Sequence, residues 1–156
     1  MLYTTTYTIN GFTLYISATK DTLYRINFSK PSQALFQTTE LLSMVKAQLD
    51  EYFSGMRQSF DLPYKLEGTP FQLSVWQELA KIPYGTTATY KEIAQRINHP
   101  KAYRAVGMAN NKNPLCLIIP CHRIIGSDGS LTGYAGGLEL KKFLLSLENQ
   151  NLNSRR

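Results

Sequence analysis

Apolar and polar residues alternate at the start of the chain, and the period then lengthens. Residues 3–9 and 12–16 alternate with period two, and Asn10-Gly11 between them is a favoured two-residue hairpin turn. A third strand is expected over 23–28, after Lys20-Asp21-Thr22. Leu41, Leu42, Val45, Leu49 and Phe53 then recur at helical spacing, and Gly55 stops that helix. Residues 56–68, which hold Pro63 and Gly68, read as an extended linker with a short strand at 59–62. Beyond this point the pattern is helical. Thr69-Pro70-Phe71-Gln72 offers an N-cap, a proline at the first helical position and a capping-box partner; Phe71, Val75, Trp76 and Leu79 give that helix one apolar face. Thr89-Tyr90-Lys91-Glu92 is a second capping box, opening a helix that runs to about Ile97. His99-Pro100 opens a third, with the small residues Ala102, Ala105 and Ala109 and the apolar Val106 on its surface, so that the pair reads as a helix-turn-helix.

Composition narrows the class. With 43% hydrophobic and 18% charged residues over 156 positions, the chain suits one domain or two small lobes. No apolar run approaches the ~18–20 residues of a membrane span, and Met1-Leu2-Tyr3-Thr4 lacks the charged-then-apolar order of a signal peptide. The charge is uneven. Residues 1–63 carry five basic and five acidic side chains, so the net charge of +6 belongs wholly to residues 64–156. A basic lobe joined to a neutral one points to a surface that meets a polyanion.

The chemistry concentrates in Pro120-Cys121-His122-Arg123, which follows the apolar run 115–119 and precedes Ile124-Ile125. Only a thiolate is a good nucleophile, and a neighbouring base or positive charge is what lowers a thiol's pKa. The other cysteine, Cys116, lies five positions earlier. If the segment is a strand, that odd spacing turns Cys116 to the opposite face and makes a disulfide improbable. Two cysteines and two histidines at these spacings fit no usual zinc pattern, so no metal site is expected. An unpaired reactive thiol suits a reducing compartment, and the cytoplasm is the expected location.

Arg104-Ala105-Val106-Gly107, Asn113-Pro114, Ile118-Ile119-Pro120-Cys121-His122-Arg123-Ile124-Ile125 and Tyr134-Ala135-Gly136-Gly137-Leu138 follow one another in order. Upstream stand Phe71-Gln72, Val75-Trp76, Ile82-Pro83-Tyr84-Gly85 and Tyr90-Lys91-Glu92-Ile93-Ala94. This series closely resembles the O6-alkylguanine-DNA alkyltransferases, also called methylated-DNA–protein-cysteine methyltransferases. The resemblance spans roughly residues 69–148; the N-terminal region is similar to the family only in size and pattern. It implies an α+β chain: a small mixed N-terminal domain of antiparallel sheet and helix over 1–65, then a helical, winged-helix-like DNA-binding domain over 66–156. Some family members hold a structural zinc in the N-terminal domain. No Cys or His precedes His99 here, so that site is absent.

The resemblance also implies a reaction and a cast. Cys121 attacks the alkyl carbon on O6 of a damaged guanine, and O4-alkylthymine is a second candidate substrate. The thioether product has no evident route back to thiol, so each molecule reacts once. His122 matches the histidine that acts through a water, Glu148 the glutamate that orients it, and Tyr90 the tyrosine that hydrogen-bonds the guanine ring. Asn113 matches the asparagine that ties the recognition helix to the active-site strand. Adjacency is a difficulty for Cys121 and His122, because neighbours in a strand point to opposite sides. Backbone groups around Cys121 and Ile124 would read the base, the Ala135 N–H would face O6, and Tyr134 and Gly136 would complete a thin wall. Ala105 and Arg104 lie on the recognition helix, Arg104 matching the arginine that fills the stack when the nucleotide flips out. Arg123, with Lys101 and Lys112, is expected at phosphates.

The expected partner is double-stranded DNA bearing alkylated bases, bound by a monomer, with no membrane association. Residues 149–156 read as a polar tail ending in Arg155 and Arg156. Three other readings are open to the residues alone. A lesion-binding relative without transfer would lack the cysteine, which is present. A Cys-His hydrolase or thiol transferase would leave the basic lobe unused. A regulatory helix-turn-helix protein would be expected to dimerise.

Overall fold

The computed structural model describes residues 1–154, so Arg155 and Arg156 lie outside the described residues. The chain is α+β and divides into two compact units, Met1–Leu66 and the remainder from Glu67.

The first unit is a four-stranded sheet with one helix. Strands β1 (Tyr3–Ile9) and β2 (Phe12–Ala18) form an antiparallel hairpin in which Tyr3 faces Ala18 and Ile9 faces Phe12. Its turn needs two left-handed residues, and Asn10 and Gly11 adopt φ of 50° and 81°. Strand β3 (Leu23–Asn27) pairs antiparallel with β2, one residue shorter than expected. The two-residue strand β4 (Leu35–Phe36), not foreseen, pairs parallel with β1 and completes the order β3-β2-β1-β4. Helix α1 (Glu40–Phe53) is capped by Thr39, whose hydroxyl accepts from the Leu42 N–H, and buries Leu41, Leu42, Val45 and Leu49. No strand forms at 59–62. The backbone of Asp61 is satisfied by a side chain instead: Gln48 Nε2 donates to the Asp61 carbonyl at 2.9 Å, and the Asp61 N–H donates back at 3.0 Å.

The second unit is helical around one small pairing of strands. Helix α2 (Pro70–Leu79) begins with the full capping box between Thr69 and Gln72. It buries Val75, Trp76 and Leu79, and the Trp76 indole N–H donates to the Ala109 carbonyl at 2.8 Å. Burying one such large apolar side chain is worth about 1.5–3 kcal/mol. Strand β5 (Ala88–Thr89) leads directly into helix α3 (Tyr90–Arg96), and Thr89 caps it by accepting from the Glu92 N–H. Helix α4 spans Tyr103–Asn111 and starts three residues later than Pro100 suggests. The cause is local: Asn98 turns left-handed at φ 64°, and the His99 carbonyl is used up by the Ala102 N–H in a separate turn. Strand β6 (Ile124–Ile125) pairs parallel with β5, Ala88 opposite Ile124 and Thr89 opposite Ile125. This pairing sets the start of α3, and so Tyr90, beside the segment that carries Cys121. Helix α5 (Leu138–Ser154) absorbs most of the expected polar tail, which is therefore helical as far as Ser154.

The apolar run 115–119 is not a strand. Leu117 has φ 75°, the Ile119 N–H donates to the Leu115 carbonyl at 2.9 Å, and Cys116 bridges to Ile119. The run is a tight reversing loop buried in the core, with Leu115, Cys116 and Ile119 each about 1% exposed or less.

Candidate active site

The reversal puts Cys121 in an unexpected environment. Its backbone N–H donates to the Ile119 carbonyl at 2.7 Å, and Pro120 leads into a single 3₁₀ turn, Cys121–Arg123. At three residues per turn, successive side chains diverge by about 120° rather than 180°. The adjacency of Cys121 and His122 is thus no obstacle, because neither lies in a strand. Both are buried, at 2% and 0% exposure.

The Cys116 thiol lies 4.0 Å from the Asn113 carbonyl, to which it donates. The argument that Cys116 faces away loses its premise, since residues 115–119 form a reversing loop and not a strand. No disulfide joins the two cysteines; both thiols are free. The neighbouring Cys116, assisted by Asn113 and the charge of Lys141 and opposed by burial, holds the Cys121 thiol below its ordinary value. Cys116 shows the converse, pushed well up by Cys121 and by burial. Asn113 also holds the loop in shape. Its Nδ2 donates to the Ile119 carbonyl at 2.7 Å, and its Oδ1 accepts from the Leu115 N–H at 3.0 Å.

Behind the cysteine lies a buried charged cluster. His122 Nε2 and Glu148 Oε2 are 2.6 Å apart, with Glu148 only 1% exposed on α5. Arg123 grips both oxygens of the same carboxylate, Nε to Oε1 at 2.8 Å and Nη2 to Oε2 at 3.0 Å, and donates Nη1 to the Ile82 carbonyl at 2.7 Å. The Gly85 N–H adds a further donor to Oε1 at 3.1 Å. Burial alone would raise the Glu148 carboxyl, but the bonds and charges of His122 and Arg123 outweigh it and hold it well below the usual carboxylate range. Burial depresses His122, against the opposing pull of Glu148. A neutral ring beside an ionised carboxylate places its proton on Nε2, leaving Nδ1 as a buried base with no protein hydrogen-bond partner. The expectation that Arg123 contacts phosphate is overturned: at 6% exposure, with its guanidinium committed to Glu148 and Ile82, it cannot reach a polyanion.

Lys141 is a buried charge near the site that the sequence reading missed. It is fully buried, and its Nζ donates to the carbonyls of Thr132 at 3.0 Å and Gly133 at 3.4 Å. Burial pushes its ammonium down to about 8, opposed by attraction to Cys121. One signal was available: Lys141 falls in phase with Leu144 and Glu148, three and seven positions on, along the buried stripe of α5. The Thr132 carbonyl also accepts from the Tyr90 hydroxyl at 2.9 Å, so Tyr90 and Lys141 meet at one atom. The Tyr90 ring lies against α4, where a Cβ at Gly107 would stand 3.5 Å from it.

The remaining candidates divide by exposure. Ile124 is fully buried in β6 and Tyr134 is 9% exposed, whereas Ala135 is exposed and Gly136 half-buried ahead of α5. Arg104 and Ala105 are exposed on α4, where Ala105 lines a shallow groove with Phe71, Met108 and Lys112. Lys91, Lys101, Arg104 and Lys112 present positive charge on and around α3 and α4. No group of His, Cys, Asp and Glu side chains among the described residues could hold a metal ion. No helix among them is long and apolar enough to cross a membrane.

Known proteins resemble this chain in sequence and fold. A family profile described as 6-O-methylguanine DNA methyltransferase, DNA binding domain, matches residues 70–150, and its companion, the ribonuclease-like domain, matches residues 1–66. A Methanosarcina barkeri methylated-DNA–protein-cysteine methyltransferase is 66% identical over 105 residues, which cover 67% of this chain and 66% of that protein. The Methanosarcina acetivorans protein of the same name is 47% identical over 141 residues, 86% of this chain and 90% of its own. The crystal structure of the Mycobacterium tuberculosis O6-methylguanine methyltransferase superposes with a TM-score of 0.88 at 38% identity, covering 97% of this chain and 94% of that one. An M. tuberculosis OGT solved in complex with DNA matches at the same TM-score, 0.88, and 38% identity, over 96% of this chain and 94% of its own. Both units being matched, and the cysteine motif lying within the matched region, the chain belongs to the 6-O-methylguanine DNA methyltransferase family.

Proposed function

We propose that this protein repairs DNA by direct reversal of damage, taking an alkyl group from O6 of guanine in a duplex onto Cys121 in a single turnover. The observation that carries the reading is a buried Cys121 thiol beside a neutral His122 whose proton is pinned on Nε2 by Glu148. His122 Nδ1 accepts the thiol proton, directly or through a water. The sulfur then attacks the alkyl carbon in line: the S–C bond forms, the C–O6 bond breaks, and its electron pair leaves with guanine. Tyr90 supplies a hydrogen bond to the departing base, exchanging its bond to Thr132 for one to the ring. Asn113 keeps the loop closed under Cys121. Ala135, Gly136 and Tyr134 wall the base, and backbone groups near Ile124 read its edge. O4-alkylthymine would present the same alkyl–oxygen bond.

A base within a duplex cannot reach a buried sulfur, so the nucleotide is extruded at a cost of a few kcal/mol. The exposed Arg104 and Ala105 of α4 enter the groove, and Arg104 fills the vacated stack. Lys91, Lys101 and Lys112 attract phosphates, with affinity falling as salt rises. In this reading residues 1–65 are a scaffold without chemistry and residues 66–156 carry the reaction. The protein acts as a monomer in the cytoplasm and needs no cofactor, because the sulfur is itself the acceptor.

The test is intact-protein mass spectrometry after mixing with a duplex holding one O6-methylguanine, followed by peptide mapping. The expected result is one methyl group, on the Cys121 peptide, and no more per molecule. Cys121→Ala should bind the lesion and gain nothing. Transfer that persists in Cys121→Ala, or repeated turnover by the native protein, overturns the assignment.

A further inference from the structure

Asn110 carries a polar group that the mechanism above leaves idle. It lies in the last turn of α4 at 2% exposure, and neither Nδ2 nor Oδ1 of its amide has a protein hydrogen-bond partner. Its backbone is in use, because the Asn113 N–H donates to the Asn110 carbonyl at 3.3 Å. A buried amide that makes no bonds destabilises the fold, and native proteins rarely keep one without a use. Leucine would fill similar space without that penalty.

The neighbours of Asn110 show which way this face of α4 is turned. Positions three and four apart share a helix face, so Gly107, Asn110 and Asn111 lie together. A Cβ at Gly107 would stand 3.5 Å from the Tyr90 ring, and one at Gly133 would stand 3.5 Å from the Asn111 amide nitrogen. The Tyr90 hydroxyl donates to the Thr132 carbonyl at 2.9 Å, which joins those two contacts into one wall. The idle amide thus belongs to the face of α4 turned toward the tyrosine assigned to the base and toward the 132–133 segment.

We propose that Asn110 is a specificity residue that reads the extruded guanine. A carboxamide presents one donor and one acceptor side by side. O6-alkylguanine presents the complement on one edge, an exocyclic amine that donates and a flanking ring nitrogen that accepts. Oδ1 accepts from the amine while Nδ2 donates to the nitrogen, the bidentate logic by which asparagine reads adenine. Backbone groups near Ile124 take the second N–H of the amine. The amide is sealed from solvent here, and a base reaches it as Tyr90 exchanges Thr132 for the ring. Only the right base satisfies both amide atoms, so a penalty borne by the free protein becomes selectivity in the complex.

The inference rests on the proposed transfer to Cys121, and the experiment separates the two. Duplexes holding O6-methylguanine or O6-methylhypoxanthine, the same ether without the amine, are compared in single-turnover transfer. The native protein should transfer from the guanine about ten-fold faster. Asn110→Leu should lose most of that preference, slowing about ten-fold on the guanine and little on the hypoxanthine, while melting about 3 °C higher. Should leucine prevent folding, Asn110→Ala gives the same reading of the preference. An amide that only holds a buried water or packs the helix predicts lower melting and equal slowing on both duplexes, and that result would overturn the proposal. So would a native protein that does not distinguish the two duplexes. Binding of the same duplexes is measured in Cys121→Ala, with and without Asn110→Leu. A binding preference that leucine removes, with no transfer by the native protein, would leave this inference standing and remove the proposed function. Transfer to Cys121 with a preference untouched by leucine would do the reverse.

Discussion

Glu148→Gln tests the charged cluster most sharply, because four hydrogen bonds converge on one carboxylate. Glutamine keeps the shape and replaces one acceptor oxygen by a donor. The carboxylate accepts from His122 Nε2, Arg123 Nε and Nη2, and the Gly85 N–H, so the new amide must point its N–H groups at existing donors. Arg123 would remain buried with its bidentate grip reduced to one bond to the amide oxygen, beside the Ile82 carbonyl and the Tyr84 ring, 5.6 Å from its guanidinium carbon. Removing one member of a buried pair costs about 3–5 kcal/mol. At about 2–4 °C per kcal/mol for a chain of this size, melting should fall by about 10 °C. His122 would also be driven to the opposite tautomer, accepting at Nε2 and carrying its proton on Nδ1, so the base is lost. Alkyl transfer should slow by about 10²-fold or more, the range for a general base. The pH dependence has a definite sign. The folded Glu148 lies below its unfolded value of 4.5, so its contribution is complete above that pH and lost as pH falls through the folded value. The native protein should therefore lose stability below pH 4.5 more steeply than the variant. Thermal melts across pH, together with single-turnover rates, read both effects. A variant that melts within a degree or two of the native protein and transfers at the native rate would refute the reasoning.

Arg104→Ala should slow transfer from duplex about ten-fold or more, leave transfer from a free O6-alkylguanine base unchanged, and shift melting by under about 2 °C, since the side chain is exposed. Tyr90→Phe should slow both substrates and lower stability by only about 1 kcal/mol, through loss of its bond to Thr132; equal rates on both would remove its role. Lys141 holds a proton up to 10.5 when unfolded but only to about 8 when folded, so unfolding takes up a proton between those values. Stability should accordingly rise with pH across that window, the cost of the buried charge being fully present below it. Lys141→Met should abolish that rise and move the Cys121 ionisation midpoint upward; an unchanged melting profile in the variant would count against a buried ammonium at this site.

Much was legible in the chain because short-range rules govern it. Asn10-Gly11 can hardly do anything but turn a hairpin, Thr69-Pro70-Phe71-Gln72 must start a helix, and the motif around Cys121 marked the candidate nucleophile. Where a segment's backbone partners come from elsewhere in the fold, sequence pattern misled. Asp61 looks extended, yet Gln48 of α1 takes both of its backbone groups. Residues 115–119 are apolar enough for a strand, but Asn113 and a left-handed Leu117 fold them into a buried loop.

Charge was the other quantity composition could not place. Arg123 and Lys141 count toward the +6 exactly as Arg104 and Lys91 do, but burial gives them different work. Arg123 is spent on Glu148, and the buried Lys141 charge helps hold the Cys121 thiol below its ordinary value. The sequence by itself determined most of the elements, the candidate nucleophile and the excess of positive charge. Only the tertiary structure decided which charges meet solvent and which set the ionisation of Cys121, because desolvation depends on neighbours distant along the chain.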